Sequence, residues 1–180
     1  MSVISLKTLA NAEAIVPRYT GSTDLRLRPR DLPAPELLSD VSEFRGYFST
    51  DYWEAEDAMF LHPPVESTIC AVLRGVKIGD YSDISVSVHA QRLDGPVLSL
   101  AIGIAKVGAA DSTNWQSHVG AYRHVLPGRW AVVNKSIPSQ LQGKQCDILI
   151  SAQAVGRQGN DNAWALFRRF GFSMQDQKTS

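Results

Sequence analysis

The sequence has no long apolar run and no excess of either charge. No stretch reaches the roughly 18 apolar residues that a membrane-spanning helix needs, and no signal-peptide pattern opens the chain. Its 18 basic and 18 acidic residues cancel, so the chain has no long-range attraction for a polyanion. We therefore expect a soluble protein that neither inserts into membranes nor binds nucleic acid. The basic excess within residues 1–30 is typical of a solvated edge.

Cysteine is also scarce. Cys70 and Cys146 are the only two, and each lies in an apolar run, where a free thiol behaves as a small buried hydrophobe. The sequence predicts two core thiols. It does not decide whether they form a disulfide, so the redox compartment stays open.

Signatures of catalysis are mostly missing. The chain has no Gly-x-Ser-x-Gly elbow, no glycine-rich phosphate loop and no His-Glu-x-x-His pair. An acidic cluster lies beside Tyr52 and Trp53 and consists of Asp51, Glu54, Glu56 and Asp57. Paired carboxylates can cleave a glycosidic bond, but acidic residues are equally typical of the first turn of a helix. We expect a non-catalytic protein, with a glycoside hydrolase as the less favoured alternative.

Apolar residues recur with a period of two from residue 67 onward. In residues 84–90 and 98–105 apolar side chains alternate with Ser, His, Ala and Gly, which is typical of strands with one buried face. Small residues would leave room on the second face of 98–105. Further β-type runs cover 67–73, 117–125, 130–134, 146–155 and 164–174. Turn residues separate these runs, and no long amphipathic helix does, so the pattern predicts an all-β antiparallel sandwich or barrel.

The first 66 residues contain six of the nine prolines. We interpret residues 1–66 as an extended arm that packs on a sandwich domain formed by 67–180. Within the arm, 25–30 resembles an edge strand, because its proline removes a ladder donor. Residues 44–48 favour a short strand, and 52–59 favour one short helix capped by Thr50 or Asp51.

Three histidines fall on predicted strands. Along 116–124, His118, Tyr122 and His124 share one face, and His89 lies on the polar face of its own strand. If these strands are neighbours, the four residues form a polar, ring-lined surface, to which we add Arg169 as a ligand-binding candidate. His118 and His124 lie about 20 Å apart along a strand, too far to share one metal ion. A hydrogen-bonding surface and a merely solvated face are equally compatible with this pattern.

Two tryptophans stand where polar loops enter strands. Trp115 follows Asp111–Asn114, and Trp164 follows Asp161 and Asn162. Flat rings beside Asn and Asp suit a sugar, which offers a C–H face for stacking and hydroxyls for hydrogen bonds. The same oxygens would suit a structural calcium ion. The alternative is that these rings close the ends of the core, which is the reading we favour for Trp130.

The closing run 164–172 is strongly apolar. Strict alternation places Trp164, Leu166, Phe170 and Phe172 on one face with Arg168, and Phe167 on the other face with Arg169. Such a strand belongs inside a two-sheet sandwich whose outer face is also covered or used.

The order of these parts resembles a known family. Leu98–Ile104, then Leu126-Pro127-Gly128-Arg129-Trp130, then Cys146–Ala152 and the closing strand resemble the second half of a jelly-roll carbohydrate-binding module of the galactose-binding-like type, over residues 97–174. The resemblance implies lectin-like binding of a glycan or polysaccharide, on a sheet face or loop rim, without catalysis. Our leading hypothesis is that the protein binds such a ligand either alone or as a module of a larger cell-surface, phage-like or polysaccharide-processing system.

Jelly rolls also build structural proteins, which leaves a second hypothesis open. In this hypothesis, residues 1–66 dock on a partner or on a neighbouring subunit, and the sandwich only supports them. The protein would then form a homo-oligomer or part of a larger assembly.

Overall fold

The computed structural model describes residues 36–174 except 43, 54–55 and 157–158, together with three short strands nearer the N-terminus. The strands are β1 (Ser2–Ile4), β2 (Pro17–Arg18), β3 (Arg26–Leu27), β4 (Glu36–Leu37), β5 (Ser49–Trp53), β6 (Ala58–His62), β7 (Thr68–Lys77), β8 (Asp83–Ala90), β9 (Val97–Lys106), β10 (Arg123–Val125), β11 (Trp130–Ser136), β12 (Gln145–Val155) and β13 (Ala165–Ser173). Two 3₁₀ turns cover Trp115–His118 and Ser139–Leu141. Among the described residues, no helix is long and apolar enough to cross a membrane.

The strands form two packed antiparallel sheets. One has the order β11-β8-β13-β6-β5, with β1 also paired to β13, and the other has the order β10-β9-β12-β7-β4. From β6 to β13 consecutive strands alternate between the sheets, except that β9 and β10 are neighbours in one sheet, and this alternation is typical of a jelly-roll sandwich. The prediction of an all-β antiparallel sandwich is confirmed. β2 and β3 pair separately, and β3 lies within the predicted edge strand at 25–30, the rest of which lies outside the described residues.

The core lies between the sheets and follows from the alternation of each strand. Ile84, Val86 and Val88 of β8 face Leu98, Leu100 and Ile102 of β9 across one hydrophobic cluster. Full burial of side chains of this size contributes about 1.5–3 kcal/mol each. Cys146 lies in the same cluster, Cys70 lies on the outer face of its sheet, and both are buried free thiols, as predicted.

The closing strand β13 departs from strict alternation. Its register with β8 shifts between Arg168 and Gly171, and Arg169 adopts a positive φ of 53°. This β-bulge turns Phe170 and Phe172 to the core side that Phe167 already occupies. Leu166 instead joins a small cluster on the outer face of the sheet. The predicted grouping of Leu166 with Phe170 and Phe172 is therefore wrong, because one extra residue reverses the faces.

The room that small residues leave on the outer face of β9 is filled by residues 107–122. Gly103 bridges to Val119, and the Gly120 amide donates to the Ile102 carbonyl over 2.8 Å. Trp115 packs there in a second hydrophobic cluster with Leu38, Cys70, Val72, Ala105, Ala110 and Leu149. The predicted strand at 117–125 is correspondingly shortened to β10. Asp111 accepts hydrogen bonds from the amides of Thr113 and Asn114, and such local bonds compete with a ladder.

The predicted helix at 52–59 is wrong, since the segment forms the β5–β6 hairpin. Both faces of the hairpin are apolar: Tyr52 and Met59 face the core, and Trp53 stacks on Phe60 outside, with ring centroids 4.6 Å apart. The Tyr52 hydroxyl donates to Asp57 at the turn over 2.6 Å. The predicted strand at 44–48 is represented by a single bridge from Arg45 to Val65. β5 and β6 are integral to their sheet, so the sandwich includes residues that the sequence pattern placed in the arm.

Candidate functional site

A groove of about 460 Å³ opens over the outer face of the β10-β9-β12-β7-β4 sheet. We call it the Tyr122 groove. It is lined by Ser39, Asp40, Phe44, Glu66, Ser67, Thr68, Ser112, Trp115, Gln116, Tyr122 and Gln153. Its volume lies within the roughly 300–1,000 Å³ that is typical of small-molecule sites. The groove exists because residues 107–122 fold over the sheet and form its opposite wall.

Tyr122 is fixed in the groove by its hydroxyl. The Ser151 hydroxyl donates to the Ile69 carbonyl over 3.1 Å, so the Tyr122 hydroxyl, 2.7 Å away, donates to Ser151. Burial raises the pKa of Tyr122, although the hydrogen bond to Ser151 opposes this shift. The residue is 41% exposed. A neutral, anchored ring thus presents part of its surface to the groove.

The polar groups of the groove favour an uncharged ligand rich in hydroxyls. Asp40 and Glu66 contribute carboxylates, Gln116 and Gln153 contribute amides, and the described lining includes no Lys, Arg or His. Hydrogen bonds from Ser42 lower the pKa of Asp40, so this carboxylate is ionised at neutral pH. Glu66 has a positive φ of 55°, and backbone strain of this kind clusters at functional sites.

The structure separates the residues that the histidine pattern grouped together. His118 lies in the 3₁₀ turn Trp115–His118, in the segment that covers the sheet of β10, and His124 is exposed on β10, two residues after Tyr122. His89 is on β8 of the other sheet, as Arg169 is on β13. The condition for one shared face, that these strands be neighbours, is not met. Trp115 is only 5% exposed, so it supports the groove from below and does not form the predicted rim.

His89 and Arg169 belong to the outer face of the other sheet, beside Trp130. The His89 ring stacks on Trp130 with centroids 4.1 Å apart, and the Arg168 guanidinium lies 4.0 Å from the Trp130 centroid. Trp130 is 43% exposed, so our interpretation of it as a core plug is wrong. It lies on edge strand β11 with its side chain on the outer face. The sequence carried a signal for this, because Trp130 alternates with Ala131 and Val133, which point inward.

The other predicted rim residues lie at one end of the same outer face. Asp161 is exposed, Asn162 has a positive φ of 59° and donates to Asp94 over 3.1 Å, and Trp164 is partly buried. Trp164 contacts Trp53 and Phe60 edge to face, with Arg92 5.1 Å from its ring centroid. Trp53 and Phe60 were missed by sequence reasoning because their segment was read as a helix.

The described carboxylates of the acidic cluster each have a structural partner. Glu56 accepts a hydrogen bond from Arg168 over 3.0 Å, and Asp57 accepts one from the Tyr52 hydroxyl. Asp51 is buried, at 4% exposure, and accepts a hydrogen bond from the Tyr52 amide over 2.7 Å. Glu54 lies outside the described residues. Within the described part of the chain, no three His, Cys, Asp or Glu side chains are placed to hold a metal ion.

His62 and Asn160 hold the loop before β13 in place. His62 Nε2 lies 2.7 Å from the Asn160 carbonyl oxygen, and the Asn160 side-chain amide donates to the carbonyls of Tyr47 and Pro63. Burial lowers the pKa of His62, although the Asn160 hydrogen bond and the Asp161 charge oppose the shift. The neutral imidazole is thus the form that the fold prefers.

We predict that the protein loses stability as the pH falls below about 6.5, the ordinary pKa of histidine. Between that value and the lowered pKa of folded His62, the unfolded chain binds more protons, so acid favours unfolding. Urea unfolding from about pH 7.5 to about pH 5.5 measures the effect. His62→Gln keeps an N–H for the Asn160 carbonyl but does not titrate, and its stability should vary less with pH. Some pH dependence of stability should remain in this variant, because burial also lowers the pKa of His89.

The exposed His124 is the matched control for this measurement. His124→Gln makes the same substitution at a surface position and so controls for the exchange of histidine for glutamine itself. An unchanged slope in His62→Gln would show that His62 is not the titrating group.

The fold resembles several solved structures. They include the secreted serine protease VesC from Vibrio cholerae, with a TM-score of 0.46, 5% identity and coverage of 78% of this chain and 29% of that one. A family 29 carbohydrate-binding module from Piromyces equi matches with a TM-score of 0.43 and 12% identity, over 74% of this chain and 79% of that one. CsCBM6-3 from Clostridium stercorarium, solved with cellobiose, matches with a TM-score of 0.38 and 10% identity, over 92% of this chain and 97% of that one. The chain thus spans 29% of the protease chain, and at these identities the likeness is one of fold.

The sequence itself matches a family model. The match is to the family of unknown function DUF6212 and covers residues 6–153, so the chain belongs to that family. No curated protein matches it. The matched range contains every residue that lines the Tyr122 groove.

Proposed function

We propose that the protein is a non-catalytic glycan-binding module that holds a neutral saccharide in the Tyr122 groove. The observation that carries the proposal is the lining of the groove. An anchored, partly exposed aromatic ring stands among two carboxylates, two carboxamides and four hydroxyl residues, with no cation in the described lining. This is the combination that a neutral sugar needs, because it offers both an apolar C–H face and many hydroxyls.

Each class of group has a distinct role in this proposal. The Tyr122 ring packs against the C–H face of a pyranose, while Asp40 and Glu66 accept hydrogen bonds from its hydroxyls. Gln116 and Gln153 can both donate and accept, so they bind a hydroxyl in either direction. Because the Tyr122 hydroxyl is used as a donor to Ser151, its remaining capacity toward a ligand is as an acceptor.

The proposal concerns binding without turnover. Of the acidic cluster that motivated a hydrolase, Asp57 accepts a hydrogen bond from Tyr52 and Glu56 accepts one from Arg168. The two carboxylates of the groove act as hydrogen-bond acceptors for the ligand. Incubation of the protein with its bound glycan should release no reducing ends, and release that is lost in Asp40→Asn or Glu66→Gln would overturn this part of the proposal.

A glycan array followed by calorimetric titration tests the proposal. We expect a neutral oligosaccharide to bind, and Tyr122→Ala to weaken binding at least about tenfold, or ~1.4 kcal/mol. Tyr47→Ala is the matched control, because Tyr47 is exposed to a similar degree, at 47%, and does not line the groove. Absence of binding to every neutral glycan, or equal affinities of wild type and Tyr122→Ala, would contradict the proposal.

A further inference from the structure

A second pocket lies on the outer face of the opposite sheet, at its β11 edge. It has a volume of about 240 Å³ and is lined by Ser87, Trp130, Ala131, Val132, Arg168 and Arg169. We call it the Trp130 pocket. None of these described lining residues is acidic, in contrast to the Tyr122 groove, whose described charges are both negative. The two sheets therefore present cavities of opposite electrostatic character.

The β-bulge of β13 explains how two consecutive arginines line one pocket. Successive residues of a regular strand point to opposite faces of the sheet. Here the register shifts between Arg168 and Gly171, and Arg169 has a φ of 53°, which a non-glycine residue adopts rarely. The bulge directs a second guanidinium toward the pocket, and bulges next to functional sites often redirect a side chain in this way.

The hydrogen-bonding capacity around the pocket is not saturated. Arg168 Nη1 donates to Glu56 over 3.0 Å, but the buried Arg168 Nε has no partner among the described residues. The same holds for Nδ1 of His89, whose ring stacks on Trp130. Buried polar atoms in native proteins are nearly always paired, so two unpaired atoms beside one cavity require an explanation.

We propose that the Trp130 pocket binds the carboxylate of an acidic sugar, such as a uronate residue. A guanidinium is a planar fork of N–H donors that matches a carboxylate, and two of them line this pocket. Trp130, at 43% exposure, forms a wall of the pocket, and its ring holds the Arg168 guanidinium in place 4.0 Å from its centroid. This site and its ligand are independent of the neutral-glycan site in the Tyr122 groove.

Calorimetric titration of the full chain with trigalacturonate, its methyl ester and sodium sulfate tests the inference. We expect trigalacturonate to bind and its methyl ester to bind at least tenfold more weakly, because the ester removes the charge. Arg169→Asn should weaken trigalacturonate binding at least tenfold while the bulge is retained, since Asn tolerates a positive φ. Lys77→Gln, which removes an exposed charge from β7 on the other sheet, should have no effect.

Two further arms separate this site from the groove and from general anion binding. Tyr122→Ala should leave trigalacturonate binding unchanged, even if neutral glycans fail to bind at all. The inference is overturned if trigalacturonate does not bind, if Arg169→Asn binds it as well as wild type, or if inorganic sulfate binds equally tightly.

Discussion

Asp147→Ala is expected to lower the free energy of unfolding by about 3 kcal/mol, near the lower end of the range for breaking a buried ion pair. Asp147 is fully buried and accepts hydrogen bonds from Arg74 Nη1 at 2.7 Å and from the amides of Gly75 and Gly108 at 3.0 and 2.8 Å. Alanine would leave both amides without this acceptor. Arg74 would keep Glu36, to which it donates twice over 3.0 Å.

The loss is large because Asp147 connects several parts of one sheet. Arg74 lies on β7, Asp147 on β12, Glu36 on β4, and Gly108 begins the segment that forms a wall of the Tyr122 groove. Arg74 Nη1 also donates to the Ala110 carbonyl over 3.2 Å, which fastens the same segment. Removing Asp147 should therefore loosen the groove as well as lower stability.

Urea unfolding at neutral pH measures this effect, and Glu36→Gln provides the control. Glu36 pairs with the same arginine but is exposed, and exposed pairs contribute at most about 1 kcal/mol. Asp147→Asn should lie between the two variants, because it keeps the shape and loses the charge. If Asp147→Ala cost no more than Glu36→Gln, the buried carboxylate would not organise this region.

Gly103→Ala is expected to cost about 1–3 kcal/mol and to weaken glycan binding in the Tyr122 groove at least about tenfold. A Cβ at this position would lie 2.7 Å from the His118 carbonyl oxygen and 3.0 Å from Cα of Val119. Both contacts are with backbone, so residues 118–119 must move. They belong to the segment that carries Trp115, Gln116 and Tyr122, and the groove should open or shift with it.

Gly108→Ala separates this steric effect from a general effect of adding a methyl group. Gly108 lies in the same segment, and a Cβ there meets nothing within 4 Å, although its φ of 72° makes alanine strained. We expect a stability loss of roughly 1 kcal/mol from that strain and unchanged glycan affinity. Circular dichroism melting and calorimetric titration of both variants supply the comparison. Equal affinities of Gly103→Ala and Gly108→Ala would contradict the role given to Gly103.

The sandwich could be predicted from the sequence because its long strands are β-type apolar runs that turn residues separate. Period-two alternation in β8 and β9 is a local property of the chain, and it identifies a strand without knowledge of its neighbours. The small residues on the second face of β9 indicated room there, but not that residues 107–122 would fill it. The β5–β6 hairpin was missed because both of its faces are apolar, which weakens the alternation that identifies a strand.

The two candidate sites could be predicted only in part, because they depend on which strands become neighbours. His89 and Tyr122 were both recognised as polar-face residues, but the crossing of consecutive strands between the sheets places them on opposite sides of the molecule. Phe170 and Phe172 were placed on the face of Arg168 because no turn residue marks the bulge that separates them from it. Asp40 and Glu66 lie in loops without a motif, so nothing in the sequence connects them with Tyr122.

The most direct test of the account is a nuclear magnetic resonance titration of the amide-labelled protein with the neutral oligosaccharide that binds best on the array. We predict that the largest shift changes map to the Tyr122 groove, at Glu66, Gln116, Tyr122 and Gln153, and that the Trp130 indole is unaffected. Shift changes centred on Trp130 and Arg168, or none at saturating oligosaccharide, would contradict the claim that the groove binds a neutral glycan.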